Sequence, residues 1–352
     1  MKLTPTGEEL KPEQLRIIDN TEQFYGAWLE AQREQRTLPR NMYWKTVGKH
    51  VYLYHVAAKG SASATSLGPR NQQTEQIWSN YQHEISNLKR RVEGATQQLS
   101  MATAQYRALK LPQILPLPAR ILRELDVRGH LGADFLVVGT NAFGAYEIAA
   151  RERFAQGLDE TEDFDLSWCR GSTIANKTET DLRGSPLLNV LKHIDSTFRM
   201  SKERLYQAIN DDVYEVELLA APSVQKTLSP DETFSPIPLP EQEWLLLGKP
   251  IRHVVCARDG SPAPLHVPDP RWMALHKIWL SRKETRKATK RPKDARQGEL
   301  LLSAVARKMQ DSHPLDLDFV LTLPEELLPI FNEWSQKTGY VPSNGTSPAK
   351  WF

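Results

Sequence analysis

The sequence predicts an α+β protein carrying a long helical arm. Three observations lead there. Strands and helices alternate between about Ala119 and Pro268, and a mostly helical tail begins at Pro270. Ahead of both, Asn71 to Lys110 holds a sustained heptad pattern. The expected organisation is 1–70, a helix and a small antiparallel sheet; 71–111, the heptad helix; 119–268, a mixed-sheet core; and 269–352, a helical C-terminal domain.

Each element follows from local pattern. Residues 16–35 read as a helix. Trp44–Val47 and Val51–Val56 read as two strands joined at Gly48-Lys49, with a third at Thr65–Gly68. The exposed lysines and tyrosines of that sheet fit either a nucleic-acid face or a solvated cap. In the long helix the apolar positions Ile77, Tyr81, Ile85, Leu88, Val92, Ala95, Leu99, Ala102, Tyr106 and Leu109 recur at steps of three and four. Such a seam must be covered by the rest of the chain or by a second copy, so a homodimer through residues 71–110 is one expectation. Pro112, Pro116 and Pro118 then mark a boundary, because proline cannot continue a helix. Past it come a short helix at Ile121–Val127 and strands at Phe135–Val138, Phe164–Trp168 and Tyr214–Leu219.

Bulk properties narrow the function classes. The chain has 352 residues, 40% of them hydrophobic and 25% charged, as in ordinary globular proteins. A net charge of +2 is too small for a general polyanion binder. No apolar run reaches the roughly 20 residues needed to span a bilayer, and MKLTPTGEELKPEQL lacks a secretory signal's apolar stretch. The two cysteines, Cys169 and Cys256, have no metal spacing. A reducing cytoplasm, with no membrane partner, is the expected setting.

Chemistry concentrates in three places. In Thr161-Glu162-Asp163-Phe164-Asp165-Leu166-Ser167-Trp168, alternation puts Asp163, Asp165 and Ser167 on one face and Phe164, Leu166 and Trp168 on the other. Two adjacent carboxylates repel unless a cation sits between them. Their hard oxygens suit Mg2+ or Mn2+. In Tyr214–Leu219, Glu215 and Glu217 share a face opposite Val216 and Leu218. The third place is the turn Gly139-Thr140-Asn141, which ends an apolar strand and opens a helix, exposing backbone N–H groups to a phosphate. It is neither a Walker loop nor a dinucleotide fingerprint.

In combination, a Gly-Thr turn, a D-x-D strand and a further acidic strand resemble the nucleotidyltransferase superfamily of the DNA-polymerase-β type. TEDFDLSW looks like the acidic motif of abortive-infection nucleotidyltransferase toxins. The wider pattern of VVGTNAFGAYE, TEDFDL, Asp195-Ser196-Thr197-Phe198, YEVELLAAP and PDPRWMALHKIWLS is closer to a bacterial stand-alone family of this fold. The resemblance covers about Ile121 to Leu301 and implies a polymerase-β-like mixed sheet. It places Gly139, Thr140 and Asn141 at the nucleotide's phosphates, and Asp163, Asp165 and Glu217 as catalytic metal ligands. The Gly139–Asp163 gap is longer than in minimal members, and the third acid is Glu where Asp is commoner.

The tail supplies cations. Lys277 sits in an otherwise apolar helix and needs an anion; the resemblance implies phosphate binding there. His276 beside it reads as a packed core histidine. Arg282, Lys283, Arg286, Lys287, Lys290, Arg291, Lys293 and Arg296 follow, a solvated face or an acceptor guide, with Arg282, Arg286 and Lys293 the candidate contacts. The implied reaction moves a nucleoside monophosphate from an NTP to an acceptor such as RNA (a tRNA end, for example), another nucleic acid or a protein, releasing pyrophosphate. The competing readings are an inactive fold that binds nucleic acid or a partner, and, fitting less well, a sugar-nucleotide glycosyltransferase.

Overall fold

The computed structural model describes residues 7–57, 63–154, 163–172, 187–228 and 234–344. Thr161 and Glu162 of the acidic motif therefore lie outside the described residues, as does the start of the proline-rich stretch after Leu228.

In chain order the elements are β1 (Gly7–Glu9), α1 (Pro12–Thr37), β2 (Asn41–Val47), β3 (His50–Val56), β4 (Ala64–Pro69) and α2 (Gln72–Ala108). Next come β5 (Gln113–Ile114), α3 (Pro116–Val127), β6 (Phe135–Val137), α4 (Phe143–Ala150), β7 (Glu152–Phe154) and β8 (Asp163–Trp168). They are followed by α5 (Leu187–Ile194), β9 (Arg199–Met200), β10 (Gln207–Ile209), β11 (Glu215–Ala220), α6 (Pro222–Gln225) and β12 (Ile237–Pro238). The last are β13 (Ile251–Ala257), β14 (Pro262–Val267), α7 (Pro270–Arg282), α8 (Arg291–Lys308), α9 (Leu317–Leu321) and α10 (Leu328–Thr338). α2 stops at Ala108, ahead of the three prolines, and the short helix expected from Ile121 begins earlier, at Pro116, a position where the missing N–H costs nothing.

The chain divides into two compact units, Asp19–Gln105 and the combined Met1–Ile18 and Tyr106–Phe352. Each has its own architecture. In the smaller unit β2, β3 and β4 form an antiparallel sheet in that order. Met42, Leu53 and Tyr81 make its core, with Trp44, Ile77, Trp78 and Ile85 packed around them. The Tyr81 hydroxyl donates to the Pro39 carbonyl at 3.3 Å, and Arg91 pairs with Glu34 at 2.5 Å. Along α2, Tyr81, Leu88, Leu99 and Ala102 are buried within the chain itself, so the heptad seam does not need a second copy to cover it.

The larger unit is a mixed α/β body. Its principal sheet runs β6-β8-β11-β10-β9, with β12 beside β11. β8 lies parallel to β11 and antiparallel to β6. Phe164, Leu166 and Trp168 on one face of β8 are buried, and so are Val216, Leu218 and Ala220 of β11. That apolar face meets the main core. Trp168 stands edge-on to Phe135 with ring centres 5.2 Å apart. A second sheet, β14-β13-β5, packs against α3 and α4.

Helices α7 and α8 pack closely. Asp269 caps α7 by accepting from the Arg271 N–H, with Pro270 in the first turn. A Cβ at Gly298 would sit 2.6 Å from the Ala274 carbonyl oxygen, so only glycine permits this approach. The close crossing matters for the site, because it brings the inner face of α8 up to Lys277 of α7.

Candidate active site

Three strand ends meet at one edge of the principal sheet. β6 is antiparallel to β8, so its C-terminal end reaches the N-terminal end of β8; the Val138 N–H donates to the Asp165 carbonyl at 3.1 Å. β11 is parallel to β8 and starts at the same edge, pairing Glu215 with Asp163 and Glu217 with Asp165. Paired residues of neighbouring strands point to the same face. All four carboxylates therefore lie on one side of the sheet, opposite the apolar face.

Gly139 makes the turn possible. Its φ is +67°, and a Cβ at this position would overlap the Asp165 carboxylate. The tight Gly139–Ala142 turn follows, and the Asn141 amide donates to the Asp163 carbonyl at 3.2 Å. Thr140 accepts a hydrogen bond from the Gln297 amide at 3.4 Å, tying α8 to this turn.

A cavity of about 710 Å³ opens over this edge. Gly139, Thr140, Asn141, Asp163, Asp165 and Lys277 line it together. Glu215 also lines it, but Glu217 does not. Glu217 is instead held by Gln207 of β10, whose amide donates to it at 3.2 Å. Ser167, third on the acidic face, is buried and hydrogen-bonded to Gln242 at 3.0 Å, out of the cavity.

The cations come from the α7–α8 region. Lys277 is only 3% exposed, and its ammonium donates to Asp294 at 2.8 Å. The anion that a lysine in an apolar helix requires is thus a residue of the same chain. Asp294 also accepts from Arg286 at 2.7 Å. Lys290 donates to Asp163 at 2.6 Å. Lys287 and Lys293 line the cavity too, as does Arg258 from the β13–β14 turn. Arg282 points elsewhere and pairs with Glu333 at 2.9 Å; Lys283 pairs with Glu241 at 2.8 Å. His276 is buried against Trp244, and burial drives its pKa down to about 3, so it packs as a neutral ring.

Electrostatics mark the acidic face as strained. Burial, then the charges of Asp163 and Glu217, raise Asp165 to about 7. Glu217 is raised by burial and by Asp163 and Glu215. Burial pushes Asp294 upward as well, but Lys277 and Arg286 outweigh it and hold the carboxyl below its ordinary range. A cluster of carboxylates pushed upward, next to a cluster of cations, is a common signature of a catalytic site.

Lys290 and Arg258 escaped the sequence analysis as individual site residues. Lys290 was one of eight cations in a run, with nothing local to separate it from Arg291 or Lys283. Arg258 lies far from every motif in sequence, and its turn lies beside the cavity residues Gln113 and Ile114 through the pairing of Cys256 and Ala257 with them.

A nucleotidyltransferase family model matches residues 117–318. The chain belongs to this nucleotidyltransferase family. The matched span includes Gly139, Asp163, Asp165, Glu215, Glu217, Lys277, Lys290 and Asp294, which contribute the acidic face, its turn and its cations. No curated protein and no solved structure matches the chain. Among the described residues of this nucleotidyltransferase, no helix is long and apolar enough to cross a membrane.

Proposed function

We propose that this cavity transfers a nucleoside monophosphate from an NTP to a hydroxyl acceptor and releases pyrophosphate. The observation that carries the reading is a single cavity holding a glycine turn, a carboxylate pair on β8 and a cluster of cations from α7–α8. A triphosphate needs all three.

The donor set fits a hard divalent cation, Mg2+ or Mn2+. Asp163 and Asp165 are carboxylates on adjoining positions of one face, and Lys290 already holds a positive charge 2.6 Å from Asp163. Among the described residues no group of three or more His, Cys, Asp and Glu side chains is arranged to hold a metal ion alone. In this reading Asp163 and Asp165 would hold the ion, with Glu215 or Glu217 beside them. A bound ion would supply charge neutralisation at the α-phosphate and a lowered pKa for the attacking hydroxyl.

The protein's own groups account for the rest. The backbone at Gly139–Asn141 receives the phosphates, and Lys290, Lys287 and Lys293 neutralise them. Lys277 and Arg286 act through Asp294, which anchors the basic loop over the cavity. The acceptor oxygen bonds to the α-phosphorus as the bond from that phosphorus to the bridging β-oxygen breaks. Pyrophosphate leaves with the bonding pair. The hydroxyl's proton passes to Glu215, the carboxylate of β11 that faces the cavity. Holding both reactants in line lowers the barrier by removing the entropy of their encounter.

The position of the label tests this reading. Incubation of the protein, Mg2+ and cell extract with NTPs labelled on the α-phosphate should yield labelled acceptor, whereas the same NTPs labelled on the γ-phosphate should yield labelled pyrophosphate only. Transfer of the γ-label to the acceptor would establish phosphoryl transfer instead. Transfer of neither label would favour a binding module.

A further inference from the structure

Val213 is held in a backbone conformation that its own side chain opposes. Its φ is +61°, a region that β-branched residues avoid because Cβ crowds the neighbouring carbonyl. The side chain is also 69% exposed, so no burial offsets that strain. The turn is nevertheless firmly clamped. Asn210, 1% exposed, accepts from the Tyr214 N–H at 2.8 Å through its side chain and from the Val213 N–H at 3.1 Å through its carbonyl. The Asn210 amide in turn donates to Asp195 at 3.0 Å. Asp195 accepts from the Thr197 N–H and hydroxyl at 2.9 and 2.7 Å, and the Asp211 N–H donates to Thr197 at 3.2 Å. The segment Asp195–Phe198 thus has a physical role: it fixes the strained turn. Strain held this firmly around an exposed apolar group points to use rather than to folding.

Its place in the cavity suggests the use. Val213 lines the cavity two residues before Glu215, at the start of β11. Across the shared edge the order is the Gly139 turn after β6, the carboxylates on β8, then Glu215 on β11 with Val213 just before it. In-line displacement puts the entering and leaving oxygens on opposite sides of the α-phosphorus. With pyrophosphate on the Gly139 side, where Gln297 ties α8 to Thr140, the acceptor enters from the side of Val213. Resting on the transfer reading above, we infer that Val213 is the acceptor-selecting contact. It packs on an uncharged, apolar-faced group that bears the attacking hydroxyl. The surroundings stay net acidic at this point: Asp211, Asp212 and Glu215 lie beside Val213 against Arg199, which pairs with Asp211 at 2.6 Å, whereas the cavity's lysines belong to the α7–α8 region and its Arg258 to the β13–β14 turn. The acceptor hydroxyl therefore belongs to a protein side chain or an uncharged small molecule, and not to the end of an RNA.

Val213→Asn tests this, because asparagine accepts the positive φ while removing the apolar contact. Relief of strain should raise Tm by about 2–4 °C. Binding of the NTP alone should stay within about twofold, and transfer of α-label from the NTP into cell extract should fall about tenfold. Val213→Gly should behave likewise in transfer. Wild-type label should resist ribonuclease; protease digestion then separates a protein acceptor from a small molecule. Ribonuclease-sensitive label overturns the inference. So does full transfer by Val213→Asn alongside loss in Asp165→Asn, or a lowered Tm in Val213→Asn. If the wild type transfers no label at all, the transfer reading itself falls, and this inference falls with it.

Discussion

Replacement of Asp165 by asparagine should abolish nucleotidyl transfer while leaving the fold intact or stronger. The expected loss is at least about a thousandfold in turnover, on the order of 4 kcal/mol of barrier. Asp165 is the carboxylate closest to the glycine turn, so asparagine keeps its shape and removes its charge. The folded protein holds the Asp165 proton up to about pH 7, whereas the unfolded chain releases it near an ordinary carboxylate pKa. A folded pKa above the unfolded one means stability present at low pH is lost as pH rises from about 4 through about 7. In chelator, wild-type Tm should therefore fall over that window by more than the Asp165→Asn Tm does. The variant should be the more stable of the two at pH 8. Thermal melts from pH 5 to pH 8, with transfer assays on the same samples, check both effects. Retained turnover in Asp165→Asn would remove this residue from the chemistry.

The largest effect on stability should come from Asp294→Ala. Lys277 and Asp294 are both almost fully buried, and their contact at 2.8 Å is shared with Arg286. Removing one partner of a buried ion pair leaves the other charge uncompensated, at a cost of about 3–5 kcal/mol. Asp294→Asn retains an acceptor and should cost less. Because the same carboxylate anchors Arg286, the basic loop over the cavity should also loosen, and NTP affinity should fall with stability. Urea unfolding of the two variants, paired with NTP titration, measures this. A change below about 1 kcal/mol in Asp294→Ala would show that the pair is solvated in solution.

Much of this site is legible in the sequence because strands have a period of two. The alternation in DFDLSW assigns Asp163 and Asp165 to one face and Phe164, Leu166 and Trp168 to the core, and the structure has that arrangement. Period two also puts Glu215 and Glu217 together. It cannot say which of them faces a cavity, since that depends on what covers β11 from outside; Glu215 lines the cavity, while Glu217 accepts from the Gln207 amide of β10. The helical period likewise shows that Lys277 needs an anion without saying which one. Asp294 is supplied by a tight helix crossing at Gly298, a tertiary fact. The short helix expected at Ile121–Val127 begins earlier, at Pro116, for a local reason: proline suits the first turn of a helix as well as it breaks the interior of one. The strain at Val213 is invisible in sequence, because nothing about Asp211-Asp212-Val213-Tyr214 announces a positive φ.

Binding of Mn2+ in the presence of a non-hydrolysable NTP, followed by electron paramagnetic resonance, tests where the cation sits. The acidic edge of β8 and β11 should hold the ion with the nucleotide in the wild type. An Asp163→Asn, Asp165→Asn double variant should weaken that binding at least about a hundredfold. Equal Mn2+ binding by both proteins would place the cation somewhere other than the strand ends that define this cavity and remove Asp163 and Asp165 as its ligands.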